Sequence, residues 1–66
     1  SPAVEDTLAA CHAAAGDFDV AVRQQQHAID AAVFAFPNAK ATIAAFRTRV
    51  ELYKTRQRYR DKPAAQ

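Results

Sequence analysis

The chain has 66 residues, half of them hydrophobic, a formal net charge of +2 and one cysteine, Cys11. A core of this size contributes only ~3–5 kcal/mol without a disulfide, a metal or an oligomer, and a lone cysteine excludes an internal disulfide. The sequence has no apolar run long enough for a membrane span or a secretory signal. We therefore expect the chain to oligomerise or to be a piece of a longer protein, and Ser1 in place of an initiator methionine favours the second.

The charge is distributed unevenly along the chain. Residues 1–38 carry one cation and five acids, for a formal charge of −4, whereas residues 39–66 carry eight cations and two acids, for +6. Much of the hydrophobic content is alanine, which favours helix and buries little area. The composition predicts an all-α fold with close approaches between helices.

Two helices are predicted in the first part of the chain. Ser1 and Pro2 suit an N-cap and a first helical position, so helix one should cover about residues 2–15. Gly16 should end it in the left-handed conformation that glycine adopts at little cost. Asp17 is a good N-cap for helix two, which should extend to about residue 35. The last turns of helix two, residues 31–36, are apolar on every side and should be buried or lie in an interface.

A third helix should follow Pro37, with Asn38 as its cap, and reach about Tyr59. Its apolar residues recur at steps of three and four, which predicts one continuous buried stripe: Ala39, Ile43, Phe46, Val50 and Tyr53. A second, thinner stripe consists of Ala45, Leu52 and Tyr59. The predicted organisation is a helical hairpin over residues 1–36, a basic amphipathic helix over 37–60 and a frayed tail over 61–66.

The hairpin has Leu8-Ala9 in its first helix, Gly16-Asp17-Phe18 at its turn, and Ala21 and Ala28 in its second helix. With these residues it resembles one tetratricopeptide repeat (TPR), a family that builds arrays of helical hairpins of about 34 residues. Leu8 stands at the leucine position of the first helix, Ala9 at the small residue beside it, and Gly16-Asp17-Phe18 at the turn between the helices. Small residues stand where the two helices of the repeat touch, namely Ala21 and Ala28. The sequence departs from the repeat at three positions where an aromatic residue is usual: Glu5, His12 and Gln25.

The resemblance covers about residues 3–33, and it implies a module for protein–protein interaction. With Val50–Lys54 and the following tyrosine, the chain is similar to the last repeat and capping helix of such arrays in bacterial multidomain proteins. The family binds partners through a concave face lined by first helices. The corresponding positions here are Ala3, Asp6, Ala10, Ala13 and Ala14, which would make a shallow surface.

Catalytic and metal sites find little support in the sequence. His12 and His27 belong to different helices, and metal sites need three or four converging ligands. Cys11 lacks an evident base or cleft, so we expect a small buried thiol. Asp17 and Asp19 are explained by capping and by the helix dipole. We expect neither enzyme activity nor a cofactor.

Polyanion binding by the third helix is the competing interpretation. A helix with cations on two sides and interleaved tyrosines can follow a phosphate backbone, with salt-dependent affinity. Cations on both sides of an apolar stripe are equally typical of a solvated helix. The candidate residues are Arg47, Lys54, Arg56, Arg58 and Arg60.

Our leading prediction is a self-associating protein-interaction module without a membrane segment. The stripe of helix three should pack on Leu8, Phe18, Val22, Ile29 and Val33. Because one repeat does not bury its own faces, we expect a homodimer, with helix three either packed in its own chain or exchanged between copies. The candidate contact residues are Phe34, Phe36, Leu52 and Tyr59.

Overall fold

The computed structural model describes residues 1–58, which form three α-helices and no strand. The helices are α1 (Pro2–Ala14), α2 (Phe18–Ala35) and α3 (Lys40–Lys54). The all-α prediction is confirmed, and α1 and α2 begin and end within one residue of the predicted positions. The predicted frayed tail, 61–66, lies outside the described residues.

The turn between α1 and α2 is closed by backbone hydrogen bonds around Gly16, whose φ is 89°. The N–H of Gly16 donates to the carbonyl of Ala13 at 3.0 Å, and the N–H of Asp17 donates to that of His12 at 2.8 Å. These two bonds define a Schellman motif, which satisfies carbonyls that a helix end would otherwise leave unpaired. The predicted left-handed glycine is therefore confirmed. Asp17 takes the N-cap position of α2, although its side chain makes no capping hydrogen bond.

The turn between α2 and α3 is short and differs from the prediction. The N–H of Ala39 donates to the carbonyl of Phe36 at 2.9 Å. This bond closes a β-turn with Pro37 and Asn38 at its centre, where proline favours the required φ. Ala39, not Asn38, is the N-cap residue of α3. The prediction that Asn38 caps this helix is wrong because the turn uses that residue.

Helix α3 ends at Lys54, earlier than the predicted end near Tyr59. The N–H of Arg56 donates to the carbonyl of Tyr53 at 2.9 Å, and the N–H of Gln57 donates to that of Leu52 at 3.1 Å. Arg56 adopts a φ of 60°, so a second Schellman motif is formed without glycine. The prediction failed because no glycine marks this helix end. Tyr59 itself lies outside the described residues.

The core is built in two clusters, both centred on α2. The first joins the N-terminal end of α2 to α1 and to the C-terminal end of α3: Ala9, Ala13, Phe18, Ala21 and Tyr53, with Val22 and Leu52 packed against them. The second joins the C-terminal half of α2 to the middle of α3: Ala28, Ile29, Ala32, Phe46 and Val50, with Val22 and Ile43 beside them. These pairings make α2 and α3 antiparallel neighbours within one chain.

The predicted stripe of α3 does face the core. Phe46, Val50 and Tyr53 are buried, and Ile43 is half-buried. The predicted partners Phe18 and Ile29 are buried as well. Burying such side chains is the main favourable term for a domain of this size.

The predictions that Leu8 and Cys11 of α1 are buried are wrong. Leu8 is 44% exposed and Cys11 is exposed, whereas Ala9 and Ala13 are buried. Phe18 and Tyr53 fill the first cluster, so α1 contributes only methyl groups there and its leucine is left outside. Val33, also predicted in the core, is 44% exposed for a similar reason: Ala32 is the residue of this turn of α2 that faces α3.

Candidate interaction surface

Three large apolar side chains remain exposed at the C-terminal end of α2. Val33 is 44% exposed, Phe36 is 58% exposed and Phe34 is 91% exposed. Helix α2 ends at Ala35 because Pro37 disfavours helix at Phe36, so both phenylalanines lie at a helix end. Two of the predicted contact residues, Phe34 and Phe36, are thus left exposed at the same helix end. Several large exposed apolar residues near one another in the chain are a mark of an interaction site.

A groove lies beside these residues, between α2 and α3. Its volume is about 580 Å³. Ile29 and Val50, both almost fully buried, form its apolar floor, and Val33 and Phe34 belong to its α2 wall. We call this concavity the α2–α3 groove. Its polar lining residues are Gln26, Asp30, Arg47, Glu51 and Lys54.

The rim of the α2–α3 groove carries charges of both signs. On α3, the Lys54 ammonium contacts the Glu51 carboxylate at 3.3 Å, and both side chains are more than half exposed. On α2, the Gln26 amide donates to the Asp30 carboxylate at 3.3 Å. Exposed pairs of this kind contribute little to stability. Apolar floor and polar rim together are typical of a protein-binding surface.

Leu52, the third predicted contact residue, lies elsewhere. It is half-buried and packs on the first core cluster. Most of its side chain is thus used inside the chain and is not available to a partner. Tyr59, the fourth, lies outside the described residues.

The predicted concave face of α1 is interrupted by an internal ion pair. Arg49 Nη1 donates to both carboxylate oxygens of Asp6 at 2.6 Å, and both side chains are about one-fifth exposed. The pair links α1 to α3, two helices that pack mainly on α2. Asp6 is therefore engaged inside the chain. Ala13 is buried in the core, Ala10 is half-buried, and Ala3 and Ala14 remain exposed.

Gln25 completes this polar cluster and was missed as a core residue. Its side chain is fully buried, and Nε2 donates to Asp6 at 2.9 Å. Gln25 Oε1 has no hydrogen-bond partner among residues 1–58. The sequence did contain a signal, because position 25 falls in step with Ala21, Ala28 and Ala32 on the core-facing side of α2. The polar run around it concealed that register.

Among the described residues, the predicted polyanion-binding cations lie around concavities that also contain acidic residues. Arg47 and Lys54 line the α2–α3 groove together with Asp30 and Glu51. Just beyond the C-terminal end of α3, Arg56 lines a second concavity together with Arg23 and Lys54. Arg56 and Arg58 lie over the Phe18 ring there, at 5.0 and 5.8 Å from its centroid. Acids share that region too, since Asp17 and Asp19 line a neighbouring concavity with Arg56. Arg60 lies outside the described residues.

The remaining side chains that could bind a metal or act as nucleophiles are scattered over the described residues. Within residues 1–58 there is no group of three or more His, Cys, Asp or Glu side chains placed to hold a metal ion. The prediction that Cys11 is buried is wrong, because it lies on the outward side of α1. In the same part of the chain, every helix is too short or too polar to cross a lipid bilayer.

Comparison with known proteins did not place the chain in a family. Searches against protein-family models, curated proteins and solved structures gave no match. The function is therefore argued from the geometry of the surface.

Proposed function

We propose that this chain is a protein-assembly module that associates with another copy of itself through the α2–α3 groove and the phenylalanines beside it. The observation that carries the proposal is Phe34, 91% exposed next to a groove with an apolar floor. Removing apolar surface from water is the dominant favourable term in most protein association. A core made largely of alanine side chains also leaves a small domain with little stability of its own, and association adds to it.

The TPR-like hairpin is the architecture that we propose for this module. Its support is local: a Schellman turn at Gly16, small residues in the contact of α1 with α2, and a third helix joined to α2 by a short turn. In this view α3 takes the place of the helix that closes an array. The exposed end of α2 is then the part of the hairpin that remains open to a partner.

A dilution series followed by NMR locates the association surface. As the protein is concentrated from low micromolar to near-millimolar, amide signals of residues 26–34 and 47–54 should shift, whereas those of α1 should not. Phe34→Lys should abolish the shifts. Lysine suits the last turn of α2 and sits four residues after Asp30, so the variant should remain folded.

Leu8→Lys is the matched control, because Leu8 is also an exposed apolar residue but lies on α1. It should leave the shifts of the wild type unchanged. The proposal would be contradicted by shifts concentrated on α1, or by shifts that persist in Phe34→Lys.

A further inference from the structure

The two walls of the α2–α3 groove differ in charge. The α2 wall carries the acid Asp30, and the α3 wall carries Arg47 and the Lys54–Glu51 pair. Ile29 and Val50 form the floor between the walls and belong to the same core cluster. Asp30 and Arg47 therefore lie at similar heights along the groove, on opposite sides of it.

We propose that a second copy closes the groove about a two-fold axis parallel to it, so that α2 of each copy lies against α3 of the other. The proposal rests on the proposed function and specifies its geometry. In a two-fold interface the same patch is used by both copies, and each contact occurs twice. Phe34 of each copy would then cover the apolar floor of the other copy's groove.

Helix direction is compatible with this axis. α2 and α3 are antiparallel within the chain, as the two core clusters show. Rotation about an axis parallel to the groove keeps the direction of each helix and exchanges the walls. Each α2 therefore meets an antiparallel α3 of the second copy, and the four helices form an antiparallel bundle with favourable dipole arrangement.

Charge favours the same axis. Asp30 of one copy lies opposite the α3 wall of the other, near Arg47, so opposite charges meet. An axis perpendicular to the groove would place α2 against α2 and α3 against α3. Where that axis passes at the height of these two residues, Asp30 would meet Asp30 and Arg47 would meet Arg47. Both arrangements are antiparallel, so charge and not helix direction separates them. Juxtaposed like charges at an interface are a strong barrier to association.

Thiol cross-linking distinguishes the two arrangements. In a Cys11→Ser background, Asp30→Cys and Arg47→Cys are prepared separately, mixed and oxidised, and the covalent dimers are identified by mass spectrometry. A disulfide between positions 30 and 47 can form only between chains in this mixture. We expect it to exceed the disulfides that each variant forms alone, whereas Val4→Cys on α1 should cross-link with neither.

Charge reversal gives a second measurement on the protein without added thiols. Asp30→Arg alone and Arg47→Asp alone should each weaken the dimer at least tenfold, and the double variant should recover most of the loss. Under the other axis, reversing Asp30 merely exchanges one like-charge contact for another, and the single variants have no such effect. Circular dichroism melting confirms that each variant is folded.

Dimers linked mainly between identical variants would overturn this geometry while leaving the proposed function intact. A dimer whose affinity is unchanged by both single charge reversals would do the same. A wild-type protein that stays monomeric at all concentrations would instead remove the proposed self-association itself.

Discussion

The Asp6–Arg49 ion pair connects α1 to α3 in the described part of the chain. Both side chains are largely withdrawn from solvent, and Gln25 donates to the same carboxylate from a fully buried position. Removing one member of such a cluster lowers the stability by more than its hydrogen bonds contribute, because the remaining polar groups stay out of water without that partner.

We therefore expect Asp6→Ala to lower the free energy of unfolding by about 2 kcal/mol. The cause is that Arg49 and Gln25 both lose an acceptor in a poorly solvated site. Urea denaturation of Asp6→Ala, Arg49→Met and the double variant forms a cycle that isolates the coupling. Additive effects of the two substitutions would show that the pair contributes nothing.

Arg56 provides a second test at the scale of one residue. A left-handed backbone conformation costs an L-residue roughly 1–2 kcal/mol. Arg56 adopts this conformation, and its guanidinium lies 5.0 Å from the Phe18 ring centroid. Arg56→Gly and Arg56→Ala remove the same side-chain contact. In thermal unfolding, the free energy of unfolding of the glycine variant should be about 1 kcal/mol higher than that of the alanine variant. Equal stabilities would mean that residue 56 does not hold this conformation in solution.

At the scale of secondary structure, the contact of α1 with α2 depends on small side chains. Ala9 and Ala13 face Ala21 and the two aromatic rings of the first cluster, and no space is left for a larger residue. Close approach of this kind makes the size of the side chains decisive.

Ala13→Leu should accordingly destabilise the fold by about 1–3 kcal/mol through overpacking. Leu8→Ala, on the exposed side of the same helix, should change stability by less than about 0.5 kcal/mol. Chemical denaturation of the two variants compares the two faces of α1 directly. A large loss in Leu8→Ala with a small one in Ala13→Leu would mean that α1 is rotated relative to its described position.

The same elements show how far the sequence predicts the fold. The left-handed Gly16, the extents of α1 and α2 and the buried stripe of α3 follow from local rules of capping and periodicity. Which side of α1 is buried does not follow from such rules. It depends on the space that Phe18 and Tyr53 leave in the core, and this is set by tertiary packing. The early end of α3 was not predictable either, because the helix ends at a left-handed Arg56 and the sequence there contains no glycine or proline.

The candidate surface was predictable in part. The apolar run at the end of α2 singled out Phe34 and Phe36, and the structure leaves both exposed. The α2–α3 groove was not predictable, since it arises from two helices distant in sequence. Leu52 was proposed for the surface because its stripe is separate from the main one, yet it packs on the first core cluster.

At the scale of the whole molecule, the charge asymmetry along the sequence is partly offset in space among residues 1–58. Cations of α3 lie beside acids of α2 in the α2–α3 groove, and Arg56 shares a concavity with Asp17 and Asp19. A polyanion-binding surface needs clustered cations whose counterions are released on binding.

We therefore expect only weak binding to double-stranded DNA, lost at physiological salt. Fluorescence anisotropy with a labelled duplex at several salt concentrations measures this. Tight binding with a steep salt dependence, abolished by Arg56→Glu with Arg58→Glu, would favour the polyanion interpretation instead.

Molar mass in solution tests the central claim most directly. Light scattering across a concentration series, at low and at high salt, should show a rise from one chain of 7.2 kDa towards two. High salt should move the midpoint to a somewhat higher concentration without abolishing the association, because it screens the exposed charge pairs and leaves the apolar contact in place. Phe34→Lys should remain at the mass of one chain throughout. A wild-type mass of one chain at every concentration and salt would contradict the account.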